Sequence, residues 1–458
     1  MEKNRQDKPR YRNLVFLLAD QLRHDAPGFA RGFAATPHMD RLAVEGAAFL
    51  RAYTPLPVCG PARRALFTGR HPDSMGAFWN DGFFPLNTPS FHPVDNLGQR
   101  LKDSGRQGCY VGKWGLGADS TPADFGFATC PDPEEYNGYL AERYPNLTHS
   151  GGWMGCESPV ALEDSKTHFL ARQAASFVET AGEDFFLWVD FGMPHLPCRP
   201  SPPFSTMYDP AEIPPWPGYE DSFVNKPYCH RQQMVNWRLE GMPWPEMAGQ
   251  VARYYGMVSQ LDDAIGGILA ALERAGRLED TLIVLTSDHG DMCGNHRMLD
   301  KHYVLYDDVV RVPLALWGEG LEPLRSDALV SNCLDLPVTI CELMGLLPLP
   351  KTHGKPLPLD GVGARRYITS SSNGQQFGFF NNRMITDGRY KYVWNLTDID
   401  ELYDVQSDPG ECDNRIGDEA LAGLLSELRG ALYDELQLHE DPLLTEWTAP
   451  QLLENRKL

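Results

Sequence analysis

The chain has 458 residues, 42% of them apolar, enough to bury a large core and to divide into one major and one smaller domain. Its 37 prolines and 42 glycines imply many turns, and no internal repeat is evident. A formal net charge of −21 argues against nucleic-acid binding and gives a polyanion no general attraction, while leaving room for a local basic pocket.

The N-terminal run MEKNRQDKPRYRN is charged and lacks the apolar core of a signal peptide, and no long apolar span predicts a transmembrane helix. The expected location is therefore cytoplasmic, unless an export signal has been removed, with no membrane partner. The ten cysteines lack paired zinc-like spacing and read as reduced, partly buried thiols.

Taken in order, Asn13 to Ala19 (NLVFLLA) reads as a buried strand, and Asp20 follows at its end. A carboxylate at that edge can face a crevice and bind a metal, or cap the next segment. Met39 to Gly46 predicts a short helix, and Ala47 to Ala52 a returning strand. His38 is a surface or capping residue as readily as a site residue.

In PVCGPARRALFTGR, Pro57 to Arg70, Cys59 precedes Gly60, Pro61 and a helix-compatible run. Proline tolerates a first helical turn, where its missing N–H would have no partner. Cys59 is thus placed beside a helix N-terminus, where backbone N–H groups stabilise an anion or thiolate, with Arg63 one turn on. The competing reading is a buried cysteine on an ordinary helix.

Residues His71 to Phe91 predict an irregular wall, Leu97 to Lys102 a weak helix, and Gly108 to Gly112 a short strand delivering Lys113. A lysine there projects into an anion site or faces solvent. Asp119 to Leu162 is loop-rich, with Tyr136, Tyr139, Tyr144 and Trp153 able to line a pocket or simply to pack. A helix is expected from Ala161 to Ala181 and a buried strand from Phe185 to Phe191, with His195 at its end as a structural residue or a proton donor.

Pro200 to Pro245 is too punctuated to predict as one regular element, and reads as an insertion shaping access, with His230 and Arg231 as weak binding candidates. Met247 to Ala275 is helical in pattern, and Thr281 to Thr286 is a strand leading into Asp288-His289. Oxygen and imidazole ligands there could join Asp20 around one divalent ion. Val309 to Leu316 predicts a strand and Leu334 to Leu343 a helix; RYITSSS, RMITDGRYKYVWN and ELYDVQ then fit antiparallel strands before a helix around Glu419 to Leu436. The expected domains are residues 1–363 and 364–458.

The run Cys59-Gly60-Pro61-Ala62-Arg63, followed by Leu66, Phe67, Thr68, Gly69 and Arg70, resembles the signature of type I sulfatases. Asp20-Gln21, Lys113, the Pro194-His195-Leu196-Pro197 segment, Asp288-His289 and Lys301 fall where that family has functional residues, so the resemblance covers nearly the whole chain. It implies an alkaline phosphatase-like α/β fold, a mixed sheet flanked by helices, with a smaller C-terminal α+β subdomain. It also implies oxidation of Cys59 to formylglycine by a formylglycine-generating or anaerobic sulfatase-maturing enzyme. One divalent metal, calcium by resemblance, is expected on Asp20, Asp288, His289 and the modified Cys59, with Gln21 as a ligand or neighbouring contact.

By the same resemblance Cys59, Arg63, Lys113, His195, Asp288 and Lys301 are the catalytic set, and Lys113, His195, His296 and Lys301 contact the substrate. The family's usual histidine is replaced by Gly115, and His296 and His302 are candidate substitutes. The implied activity is hydrolysis of a sulfate ester, on a sulfated small molecule or oligosaccharide. Alternatives are a phosphonate monoester or phosphodiester hydrolase, and an inactive carbohydrate-binding homologue.

Overall fold

The computed structural model describes residues 10–457 apart from 31, 81–92, 94, 118, 132 and 375–378. The charged N-terminal run up to residue 9 and most of the expected irregular wall therefore lie outside the described residues.

The N-terminal part runs β1 (Asn13–Asp20), α1 (Pro37–Glu45), β2 (Ala47–Tyr53), α2 (Cys59–Thr68), α3 (Leu97–Asp103), β3 (Gln107–Gly112), α4 (Pro133–Arg143), α5 (Lys166–Thr180), β4 (Phe185–Pro194), α6 (Tyr228–Trp237), α7 (Trp244–Arg274) and β5 (Thr281–Ser287). It continues with α8 (Asp307–Val310), β6 (Arg311–Val312), β7 (Leu314–Trp317), β8 (Leu324–Ser331) and α9 (Asn332–Leu343). The C-terminal part holds β9 (Ile368–Asn373), β10 (Asn381–Thr386), β11 (Tyr390–Asn395), β12 (Glu401–Asp404), α10 (Ala422–Leu438) and α11 (Ala449–Glu454).

The large sheet has the order β3-β4-β1-β5-β7-β2-β6, with β8 pairing β2. Strands β3, β4, β1 and β5 are mutually parallel, whereas β7 runs antiparallel to both β5 and β2. Every residue of β1 is buried, as a central parallel strand covered on both faces requires. Val15, Leu17 and Ala19 pack on one face with α5 and α7, while Leu14, Phe16 and Leu18 pack on the other with α2 and α9. On that second face the Trp188 indole lies between Phe16 and Phe67, with ring centroids 3.8 and 4.6 Å away. Truncating a core side chain such as Leu17 to alanine would cost about 2–5 kcal/mol.

Several elements depart from the sequence expectation. The insertion from Pro200 to Pro245 contains the helix α6, and the loop-rich stretch before α5 contains α4. The expected strand from Val309 to Leu316 is divided into the helical turn α8 and the strands β6 and β7. Pro313 lies between those strands, since proline cannot donate to a ladder. Strand β8 begins with half-exposed residues and lacks a clear apolar pattern, so its pairing with β2 sets it.

The C-terminal sheet is antiparallel in the order β12-β11-β10-β9. Its hairpin turns at Asp387-Gly388, where Gly388 has a φ of 89°. The two sheets meet where the Ser371 amide donates to the Pro55 carbonyl at 2.9 Å. All ten cysteines are free thiols, most of them buried. Among the described residues, no helix is long and apolar enough to cross a membrane.

Candidate active site

Because β1 and β5 are adjacent and parallel, their C-terminal ends deliver Asp20 and Asp288-His289 to one point. Ser287 fastens those ends: its hydroxyl accepts from the Leu22 amide at 2.8 Å and lies 3.1 Å from the Ala19 carbonyl. Gln21 then turns with a left-handed φ of 72°, its amide donating to Asp288 Oδ1 at 3.1 Å and its carbonyl accepting from the Tyr254 hydroxyl at 2.8 Å. Such backbone strain persists only where surrounding contacts over-determine it.

Helix α2 begins at Cys59 and brings it into the same crevice. The first turn of a helix has amides without intrahelical partners. One of them, on Gly60, donates to the Asn80 side-chain oxygen at 2.7 Å. Cys59 is 3% exposed, and its sulfur lies 3.3 Å from His289 Nε2, 3.7 Å from Asp20 Oδ1, 3.6 Å from Lys301 Nζ and 3.8 Å from Lys113 Nζ. Ligand atoms of Asp20, Cys59, Asp288 and His289 all lie within 4.8 Å of one another.

Burial and Asp20 push the Cys59 thiol up, but Lys113, Lys301 and His289 outweigh them and hold it well below its ordinary value. Burial likewise pushes Asp20 up, and Lys113, His195, Arg63 and Lys301 overcome it to hold that carboxyl well below the usual range. Burial pushes His289 down, yet Asp288 and the Cys59 sulfur carry it up to about 9.

The donors fit a divalent cation. His289 Nδ1 lies 2.9 Å from the Gly290 carbonyl, to which Nδ1–H donates, so Nε2 is the nitrogen that faces Cys59 and, on losing its proton, can bind an ion. Asp288 Oδ2 is buried, makes no hydrogen bond among the described residues, and has Arg63 Nη2 3.2 Å away as an ion-pair partner. Two carboxylates with one imidazole suit a hard or borderline divalent ion.

Arg63 is 1% exposed, and its Nη2 lies 3.1 Å from Asp20, 3.0 Å from Asp190 and 3.2 Å from Asp288. Asp190, on β4, also accepts from the Tyr110 hydroxyl at 3.0 Å, and burial pushes its carboxyl well above the usual range. The sequence reading missed Asp190, although its signal was the one that revealed Asp20: a carboxylate in an apolar strand.

The two lysines arrive from opposite sides. Lys113, just beyond β3, pairs with Asp20 Oδ2. Lys301 sits in a loop whose neighbours Asp300 and His302 have left-handed φ values of 68° and 89°. Its Nζ contacts Gln21 Oε1 at 3.1 Å, His195 Nε2 at 3.0 Å and Asp300 Oδ1 at 3.1 Å. The amide nitrogen of Gln21 donates to Asp291, so its side-chain oxygen is the atom turned to Lys301. His195 Nδ1 lies 2.7 Å from the Leu196 carbonyl, which leaves Nε2 to accept from Lys301.

His296 lies elsewhere. It stacks on Tyr306 with centroids 4.1 Å apart, and its Nδ1 is 2.8 Å from Asp221 in the junction with the C-terminal sheet. It therefore replaces nothing at Gly115, because left-handed loop geometry at residue 296 turns its ring away from Lys301. His230 belongs to the same junction, between Tyr306 and Glu401. Tyr136, Tyr139 and Tyr144 converge on Asp164 instead of a pocket.

His302 bonds Asp300 at 2.8 Å and stacks on Trp79. It lines a pocket of about 530 Å³ that His195 and Lys301 also line, and whose walls include Trp79, Trp153 and Trp237. Residues 200–245, expected from sequence to shape access, include α6, which contributes Asn236 and Trp237 to this wall.

The family model described as Sulfatase matches residues 12–346. The chain belongs to the sulfatase family. This sulfatase is 30% identical to the uncharacterized sulfatase YidJ of Escherichia coli, over 94% of this chain and 88% of that one. It is 27% identical to the Delta 4,5-hexuronate-2-O-sulfatase of Bacteroides thetaiotaomicron, over 95% and 90% of the two chains. Among solved structures it resembles the phosphonate monoester hydrolase of Silicibacter pomeroyi, with a TM-score of 0.79 at 23% identity, covering 94% of this chain and 96% of that one. Sulfatases are sulfuric ester hydrolases that generally use a metal and formylglycine.

Proposed function

We propose that this sulfatase hydrolyses a sulfate ester carried by a saccharide, with the side chain of residue 59 matured from cysteine and one divalent ion, calcium by resemblance, held by Asp20, Asp288 and His289. The observation that carries the reading is the meeting at Cys59 of this donor set with two ammonium groups, from Lys113 and Lys301. Carboxylates and imidazole suit a cation, while the flanking lysines suit an ester anion. The hexuronate sulfatase relative supports a glycan ester.

Formylglycine formed from Cys59 would supply an oxygen nucleophile, and the bound ion would lower the cost of negative charge on it. Formation of the formylglycine requires a formylglycine-generating or anaerobic sulfatase-maturing enzyme as partner. Lys113 and Lys301 hold the sulfate oxygens. Arg63, shared among Asp20, Asp190 and Asp288, fixes the ligating carboxylates in place. The Lys301-His195 hydrogen bond keeps a proton at the pocket mouth, where the leaving oxygen must collect one. Overall, water and R–O–SO₃⁻ give R–OH and hydrogen sulfate.

The test is intact mass and a peptide spectrum across Cys59, followed by kcat/KM on sulfated sugars, aryl sulfates and phosphonate monoesters. Oxidation at residue 59 with preference for sulfate esters is expected. Full activity from unmodified Cys59 would overturn the proposal. A second reading, hydrolysis of phosphonate monoesters or phosphodiesters, is favoured by Gly115, which departs from the sulfatase pattern beside Lys113. Preference for the phosphonate in the same panel would establish it.

A further inference from the structure

The pocket beyond Lys301 is sorted by polarity in a way that sulfate binding does not require. Trp153 stands 61% exposed on one wall, with its ring 6.2 Å from the Trp237 ring and nearly perpendicular to it. The backbone beside Trp153 is held by Arg253, which donates to the Met154 carbonyl at 3.2 Å. An exposed indole and a half-buried one placed in this way offer apolar faces to a ring with C–H surfaces.

Two side-chain amides of the same pocket have their oxygens engaged and, among the described residues, their NH₂ groups left over. Asn80 uses its side-chain oxygen on the Gly60 amide, and Asn236 uses its own on Gln232 Nε2 at 2.8 Å, which leaves both NH₂ groups. Asp300, the carboxylate in the wall, is committed to Lys301 and His302. Arg238 ends α6 in a left-handed conformation, φ 58°, and its exposed guanidinium has no hydrogen bond or ion pair among the described residues. A fork of N–H donors beside these indoles matches a planar or tetrahedral anion attached to a ring. A quaternary ammonium would meet Arg238 as a like charge, so the aromatic wall is not a cation cage.

We infer that this pocket selects a sugar ring carrying a second negative group besides the scissile sulfate, a carboxylate or another sulfate, which pairs with Arg238 while the ring rests on Trp153 and Trp237. This rests on the sulfate-ester reading above and narrows its substrate class.

The experiment uses the matured enzyme and matched methyl glucosides bearing one sulfate ester at each ring position. Each is supplied in three forms: otherwise neutral, with a second sulfate, or with a carboxylate in place of the C6 hydroxymethyl. The dianionic forms should be preferred by about tenfold or more in kcat/KM, and the preferred form identifies the anion. Arg238→Ala should bring that ratio close to one, and Arg238→Lys should retain part of it.

Binding to Cys59→Ala, read by quenching of tryptophan fluorescence, gives the same comparison without turnover. If no sulfate ester is hydrolysed yet the charge preference persists in binding, the activity reading fails and this inference stands. Equal binding and turnover of neutral and dianionic sugars, or a ratio untouched by Arg238→Ala, overturns the inference alone.

Discussion

A Cβ atom built on Gly115 would lie 2.2 Å from Nη1 of Arg63. The glycine at this departure from the sulfatase pattern is therefore a steric partner of the guanidinium. Gly115 also has a φ of 66°, where L side chains are strained. Gly115→Ala should destabilise the fold by about 1–3 kcal/mol and displace Arg63 from its three aspartates, lowering kcat by roughly 100-fold. Gly267→Ala on α7, where a Cβ meets nothing within 4 Å among the described residues, is the control. Equal kcat in the two variants would show that Arg63 tolerates the displacement.

Asp190 anchors Arg63 from β4 without belonging to the proposed ion-binding set. Asp190→Ala leaves a buried guanidinium with one carboxylate fewer and should cost about 3–5 kcal/mol in urea denaturation. Asp190→Asn keeps the oxygen facing Arg63 and should cost less. A cost below about 1 kcal/mol for the alanine variant would mean that Asp20 and Asp288 suffice.

Removal of the ion should cost stability as well as activity, because the ligands crowd negative charge at residues 20 and 288. At an ion concentration 100 times Kd, binding contributes about 2.7 kcal/mol. Chelation should therefore lower Tm, and calcium should restore it. In Asp20→Asn the chelator should lose its effect on Tm; an unchanged response there would place the ion elsewhere.

Acid should loosen the attachment of the C-terminal part through three histidines. His71 and His439 stack with centroids 4.5 Å apart, and His353 Nδ1 accepts from the His71 amide at 2.8 Å. Burial pushes all three below the usual imidazole value, His439 to about 2. With the folded value depressed, the unfolded chain binds more protons at acid pH. Stability is thus fully present above about pH 6.5 and falls as the pH drops below it. His439→Gln should remove about 1.4 kcal/mol per pH unit from the slope of stability between pH 6 and 4. Urea midpoints across that range measure it, and an unchanged slope would mean that the other two histidines dominate.

The parallel core and the crevice were legible because local pattern and burial agree there: NLVFLLA, FFLWVDF and TLIVLTS read as strands, and the chemistry lies at their ends. Asp190 shows the same local signal as Asp20, a carboxylate in an apolar strand, but nothing local announces its pairing with Arg63, 127 residues away. His296 was expected at the substrate by resemblance and as a substitute at Gly115, but a match of residue type says nothing of direction in a loop with left-handed turns. Arg238 and Trp237 were unreadable as pocket residues until α6 placed them, since a helix of low amphipathicity between prolines carries little pattern.

Asp20 and Asp288 lie at the ends of neighbouring strands although 267 residues separate Gln21 from the aspartate it touches. No fragment of this protein shorter than that span can assemble the ion's cradle. Ion affinity, followed during refolding, is therefore a late clock: it should rise only when the first and fifth strands have docked, well after helices such as α7 have formed.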